Sequence, residues 1–153
     1  MNKSNANNFE TFQSIGQRTN DIFESSVHSK LFDSAIPVCV YLQDELEELS
    51  RQQFASIKHF SDMEKGNDRI AEILFEHWQN NDSFGKFNYE SPSEIIHHAQ
   101  PSFLLVLPLS EWGEGVCMLM FKVEWDVEHG AGVFIVNGVP VEYGDVDSKP
   151  PKF

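Results

Sequence analysis

Basic residues are scarce in this chain. Its 153 residues hold 11 Lys and Arg against 24 Asp and Glu, a formal net charge of −13. A surface of that sign repels nucleic acid and anionic membrane and attracts cationic partners. Cysteine is scarcer still, with Cys39 and Cys117 each inside an apolar run and neither in a CxxC pair. That pattern excludes zinc-ribbon and thioredoxin-type readings, and both thiols are expected as small core hydrophobes. Nothing points to an oxidising compartment. The N-terminus (Met-Asn-Lys-Ser-Asn-Ala-Asn-Asn) has no apolar stretch behind it, so no secretory signal is read there. No apolar run approaches the ~18 residues a membrane span needs; the longest, Phe103 to Leu109, contains Pro108. The expected compartment is the cytoplasm. GxSxG, P-loop and GxGxxG patterns are absent, and no cofactor is expected.

What is present is acid, unevenly placed. Between Ser110 and Ser148 stand eight acids (Glu111, Glu114, Glu124, Asp126, Glu128, Glu142, Asp145, Asp147) against Lys122 alone. Asp44, Glu45, Glu47 and Glu48 form a second cluster. A one-sign field over one region suits steering of a basic partner better than it suits solubility alone. Glu111, Glu114, Glu124, Asp126 and Glu128, with Asp44, Glu45, Glu47 and Glu48, are therefore the candidate partner-binding residues.

The length fits one domain. Residues 1–19 read as a polar N-terminal segment in which Phe9, Phe12 and Ile15 fall at helical spacing, and residues 20–153 as a single α+β domain. Asp21 to Phe32 holds a strand or two. Ile36 to Leu42 is β-branched and reads as a strand with Pro37 near its start. The acidic cluster then opens a helix running to about Phe60, with Leu46, Leu49, Gln53, Ile57 and Phe60 on one face. After Gly66, Asn67 or Asp68 caps a second helix with the stripe Ile70, Ile73, Leu74 and Trp78. Ser91-Pro92-Ser93-Glu94 is a capping-box start for a short third helix. The C-terminal third is β: Phe103 to Leu109, Val116 to Trp125, Gly132 to Val136 and Val139 to Tyr143, the last two joined by an Asn137-Gly138 hairpin of type I′. Along Val116 to Trp125, Val116, Met118 and Met120 face one side, and Cys117, Leu119, Phe121, Val123 and Trp125 the other. The expected fold is an antiparallel sheet, mostly from the C-terminal third, with two or three helices packed on one face.

The segment Trp125-Asp126-Val127-Glu128-His129-Gly130-Ala131-Gly132-Val133 stands out. Gly130 or Gly132 can take a positive φ there. One imidazole and two carboxylates from a single turn make at most part of a metal shell, and adjacent strand residues such as Glu128 and His129 diverge. A structural turn built on Trp125, Asp126, Glu128, His129, Gly130 and Gly132 is the first reading, partner contact the second, and metal binding or catalysis the third. Trp125 is expected to pack against a helix. His97 and His98 diverge on their helix and read as surface residues, while His59 and His77 read as core-edge packing.

The order of these features resembles an uncharacterised family of bacterial domains. It shares an apolar strand, an acidic helix, a second helix ending in an aromatic, and a strand leading into Trp-Asp-x-Glu-His-Gly-x-Gly-Val. The match runs from Ile36 to Asp147, and its specific part is Trp125 to Val133. The resemblance implies an immunity protein of polymorphic toxin systems, contact-dependent inhibition among them. It agrees with the charge, since nuclease toxins tend to be basic. The expected function is thus a non-enzymatic one: binding a cognate cationic toxin domain and covering its active site, with neither metal nor catalytic residue. The alternatives are a metal-dependent hydrolase using Asp126, Glu128 and His129, and a scaffold or regulatory module without a toxin partner.

Overall fold

The structure, a computed structural model, describes residues 8–42, 48–82 and 84–144. Seven strands lie side by side in chain order: β1 (Gln17–Thr19), β2 (Ile22–Ser29), β3 (Ser34–Tyr41), β4 (Ala99–Val106), β5 (Val116–Val123), β6 (Ala131–Val136) and β7 (Val139–Gly144). Every neighbouring pair is antiparallel except β3 and β4, which run parallel with Val38 opposite Leu104. The parallel pair follows from the connection. Helices α2 (Arg51–Ser61), α3 (Asn67–Gln79) and α4 (Pro92–Ile95), with a single turn of 3₁₀ helix (Ile96–His98), return the chain to the end where β3 began. Parallel neighbours need a crossover of that kind.

The chain is α+β, but the expected antiparallel sheet drawn mostly from the C-terminal third is corrected. The sheet is mixed, and three of its strands precede residue 42. β2 lies within Asp21 to Phe32, where a strand or two was expected; its pattern is weak because only Phe23, Val27 and Ser29 are buried along its Ile-Phe-Glu-Ser-Ser-Val-His-Ser run. The helices are also not two or three on one face: five occur among the described residues. Helix α1 (Phe9–Ile15) buries Phe12 against Phe23 and Phe54, with ring centroids 5.6 and 5.4 Å away. Helix α5 (Leu109–Trp112) occupies residues read as the end of a strand and the turn after it. Its Trp112 packs on Phe134, ring centroids 5.3 Å apart, in a cluster separate from the main core.

The period-2 pattern of β5 divides two cores. Cys117, Leu119, Phe121, Val123 and Trp125 join the main core with helices α2 and α3. Val116, Met118 and Met120 face the other way, with Leu105, Trp112 and Phe134. Cys117 is buried in the main core, half-buried Cys39 borders the second, and both thiols are free. Burial pushes the Cys117 thiol up to about 12.

Helix α2 begins at Arg51, not at the acidic cluster. Its start is fixed by a capping box: the Gln53 N–H donates to Ser50 Oγ at 3.0 Å, and Ser50 N–H to Gln53 Oε1 at 3.2 Å. Such a cap contributes about 1 kcal/mol. Asp44, Glu45 and Glu47 lie outside the described residues, and Glu48 precedes the helix. Buried Gln53 also donates from Nε2 to the carbonyls of Tyr41 (3.3 Å), the last residue of β3, and Leu107 (3.5 Å), just past β4. At α4 the capping box is incomplete: Glu94 accepts from the N–H of Glu90, and Ser91 makes no side-chain cap. Asn137 and Gly138 have φ of 50° and 80°, the two positive values that a type I′ turn requires.

Candidate functional site

Strand β5 separates the acids that the sequence groups together. Glu111 and Glu114 precede its first residue; Glu124, Asp126 and Glu128 follow its last. An eight-residue strand is roughly 25 Å long, about three Debye lengths at physiological salt. The five residues therefore belong to two opposite ends of the sheet. Exposed Glu111 and Glu114 share their end with Asp21, which lines the same cleft as Glu111, and with exposed Glu48, two residues before the α2 cap.

The other end is built around the β5–β6 turn. Trp125 is 3% exposed and donates from Nε1 to Nδ1 of His77 on α3 at 2.9 Å. That bond fixes the His77 tautomer, because Nδ1 accepts only when it carries no proton. Tyr89 packs edge-on to Trp125 (5.6 Å) and to Trp78 (4.8 Å). The expectation that Trp125 packs against a helix is met by α3.

Asp126 holds the turn closed. Its Oδ1 accepts from the backbone N–H of His129 (3.2 Å) and lies 3.0 Å from His129 Nδ1. Its Oδ2 accepts from Asn81 Nδ2 at 3.1 Å, and its carbonyl from the N–H of Gly130 at 2.9 Å. Burial raises the Asp126 carboxyl pKa. The side-chain and backbone hydrogen bonds from His129, the bond from Asn81 and the charge of His129 outweigh burial and hold it below the ordinary carboxylate value. Gly130 closes the turn at φ 69°, and a Cβ there would stand 2.6 Å from the Phe121 carbonyl oxygen, so the position excludes any side chain. Gly132 lies inside β6. Glu128 and His129 are exposed.

Glu124, on the opposite flank, accepts from the Tyr89 hydroxyl and lies 3.0 Å from Nδ1 of His98. Burial first, then the hydrogen bond to Glu124 and the charges of Glu124 and Glu94, raise the Tyr89 pKa well above the ordinary phenol. Tyr89 thus stays a donor. Val127 at the tip is 87% exposed. It lines two open clefts: one against the Asn81–Lys86 segment with Asp82, Lys86 and Glu128, the other against His98, Gln100 and Lys122.

Sequence reasoning singled out Asp126, Glu128 and His129 but missed their partners. Asn81 and Tyr89 carried no signal of contact with the turn, and Val127 was the variable position inside the motif. Among the described residues, no group of three or more His, Cys, Asp or Glu side chains is placed to hold a metal ion. Among them, too, no helix is long and apolar enough to cross a membrane.

The family model described as "Domain of unknown function (DUF6985)" matches residues 11–150. The chain belongs to that family. No curated protein and no solved structure matches it.

Proposed function

We propose that this domain is an immunity-type inhibitor that acts in the cytoplasm, binding a cognate basic toxin domain and covering its active site. The observation that carries the reading is the net charge of −13, displayed as exposed carboxylates at both ends of the sheet: Glu48, Glu111 and Glu114 at one, Glu124 and Glu128 at the other. Complementary charge accelerates encounter and selects partners. The resemblance of Trp125 to Val133 to immunity domains supports the same reading. Rigid anchoring of the turn by Asp126 and Trp125 adds to it, because a pre-ordered surface loses less freedom on binding.

The test searches the reading frames beside this chain's gene for a basic domain that blocks growth and co-expresses the two proteins; finding no such domain would refute the reading. The reading expects restored growth of cells producing that domain and a one-to-one complex in gel filtration. Growth that stays blocked while both proteins accumulate in soluble form would refute it.

A further inference from the structure

One carboxylate ties together two remote parts of the chain. Glu124, the first residue after β5, takes the Tyr89 hydroxyl and the His98 ring on the same oxygen, Oε1, with His98 Nδ1 3.0 Å away. Both donors belong to the connection between α3 and β4. Their rings also touch, with centroids 5.0 Å apart, and buried Tyr89 packs in turn on Trp78 and Trp125. A carboxylate oxygen only accepts, so the His98 contact is a hydrogen bond only while Nδ1 carries a proton. One neutral tautomer and the imidazolium both supply that proton. The imidazolium bond is charge-assisted and roughly twice as strong.

We propose that Glu124, Tyr89 and His98 form a pH-sensitive clasp between the α3–β4 connection and the end of β5, tightened when His98 takes up a proton and loosened when Glu124 does. It stands independently of the binding reading above. The sign follows from linkage. Stability gained by an imidazolium beside a carboxylate is present below the range in which imidazoles titrate, about pH 6.5, and is lost as pH rises through it. The carboxylate's contribution is lost in the other direction, as pH falls through the carboxyl range near about pH 4. The clasp is therefore tightest between the two. Around His98 the charged and titratable groups are Glu124, Lys122 on β5, neighbouring His97 and Tyr89, and Glu94 on α4 acts on Tyr89. Tyr89 stays protonated across this range, since burial, the Glu124 bond and the charges of Glu124 and Glu94 raise its pKa well above the ordinary phenol. His98 and Glu124 are thus the two groups that change. Their side chains are 39% and 42% exposed, so solvent screens the pair and its effect is modest.

The experiment is urea unfolding of the parent, His98→Gln, Glu124→Gln and the double variant, at about pH 8 and about pH 5.5, either side of the imidazole range. His98→Gln keeps a donor that does not titrate, and Glu124→Gln keeps an acceptor for Tyr89. The other histidines titrate in all four proteins and cancel in the comparison, His77 among them, whose protonation at Nδ1 would cost the bond from Trp125. The expected result is that the parent's unfolding constant falls about 2- to 5-fold relative to His98→Gln between the higher and the lower pH. In the Glu124→Gln background the same comparison should show no change. If the parent and His98→Gln keep a constant ratio across that range, or if the gain survives Glu124→Gln, this pair does not sense pH and the proposal fails.

Discussion

At the Glu111 end of the sheet, carboxylates stand on a four-residue helix and the turn after it, and buried Gln53 and Ser56 bond backbone groups, the carbonyls of Tyr41 and Leu107 and the N–H of Gly115. At the Glu124 end, the acids are wired into the structure. Asp126 is bonded to Asn81 and His129, Glu124 to Tyr89 and His98, and the chain between them is pinned by Trp125 on His77. Carboxylates are thus presented in two ways, on short exposed segments at one end and hydrogen-bonded to side chains of remote segments at the other. Pre-ordered charge costs less to engage, so on the proposed reading the turn end is the better suited to a cationic partner, and its wiring makes it the more sensitive to substitution.

The largest difference between the ends should appear on deleting their tryptophans. Trp125→Ala should cost on the order of 3–5 kcal/mol, because it opens the core beside Tyr89 and His77 and removes the donor to His77 Nδ1. Trp112→Ala also opens a cluster but breaks no such bond with an imidazole, so it should fall at the lower end of that range. Chemical denaturation of both variants measures the gap, and an equal loss would erase this contrast between the ends.

Glycine replacement sharpens the comparison at smaller magnitude. Gly130 and Gly113 both have positive φ, 69° and 79°. A Cβ at Gly130 meets the Phe121 carbonyl at 2.6 Å, whereas at Gly113 it meets nothing within 4 Å. Gly113→Ala should therefore cost only the backbone penalty of its φ 79°, ψ −175° conformation, on the order of 1–3 kcal/mol, whereas Gly130→Ala adds to its own backbone penalty the displacement of the strand, and should cost more. Denaturation midpoints check the order.

Acid should expose the wiring of Asp126. Its carboxyl is held below the ordinary value, so its contribution is fully present above about pH 4 and is lost as pH falls through the folded-state value. Asp126→Asn should be less stable than the parent at neutral pH, and the difference should shrink on acidification below that point. Urea midpoints taken between neutral and strongly acid pH would show it. A constant offset would mean that Asp126 acts through packing alone.

How much of this was legible in the sequence depended on distance along the chain. The β5 pattern gave both faces of the sheet, since alternation is local, and Asn137-Gly138 gave its hairpin because both residues tolerate positive φ. The helix stripe Ile70, Ile73, Leu74 and Trp78 was equally plain. What stayed hidden was contact between remote segments. Asn81 meets Asp126 across 45 residues and Tyr89 meets Glu124 across 35, and no spacing rule links them. The grouping of Glu111 with Glu128 failed for the same reason: proximity in sequence hid an eight-residue strand between them. The acidic cluster misled in a second way, since charge suited to a helix start stood before Ser50, where the capping box begins the helix.

The most direct test of the account is association kinetics with the basic domain that the co-expression test identifies, at low and high salt, for two charge-neutralised variants: Glu124→Gln/Glu128→Gln at the turn end and Glu111→Gln/Glu114→Gln at the other. The account predicts that the turn-end variant associates more slowly and loses salt dependence, while the other behaves like the parent, because charges about 25 Å from the contact are screened. If both variants associate at the parental rate at every salt concentration, the acidic balance serves solubility alone and the link from charge to partner is broken.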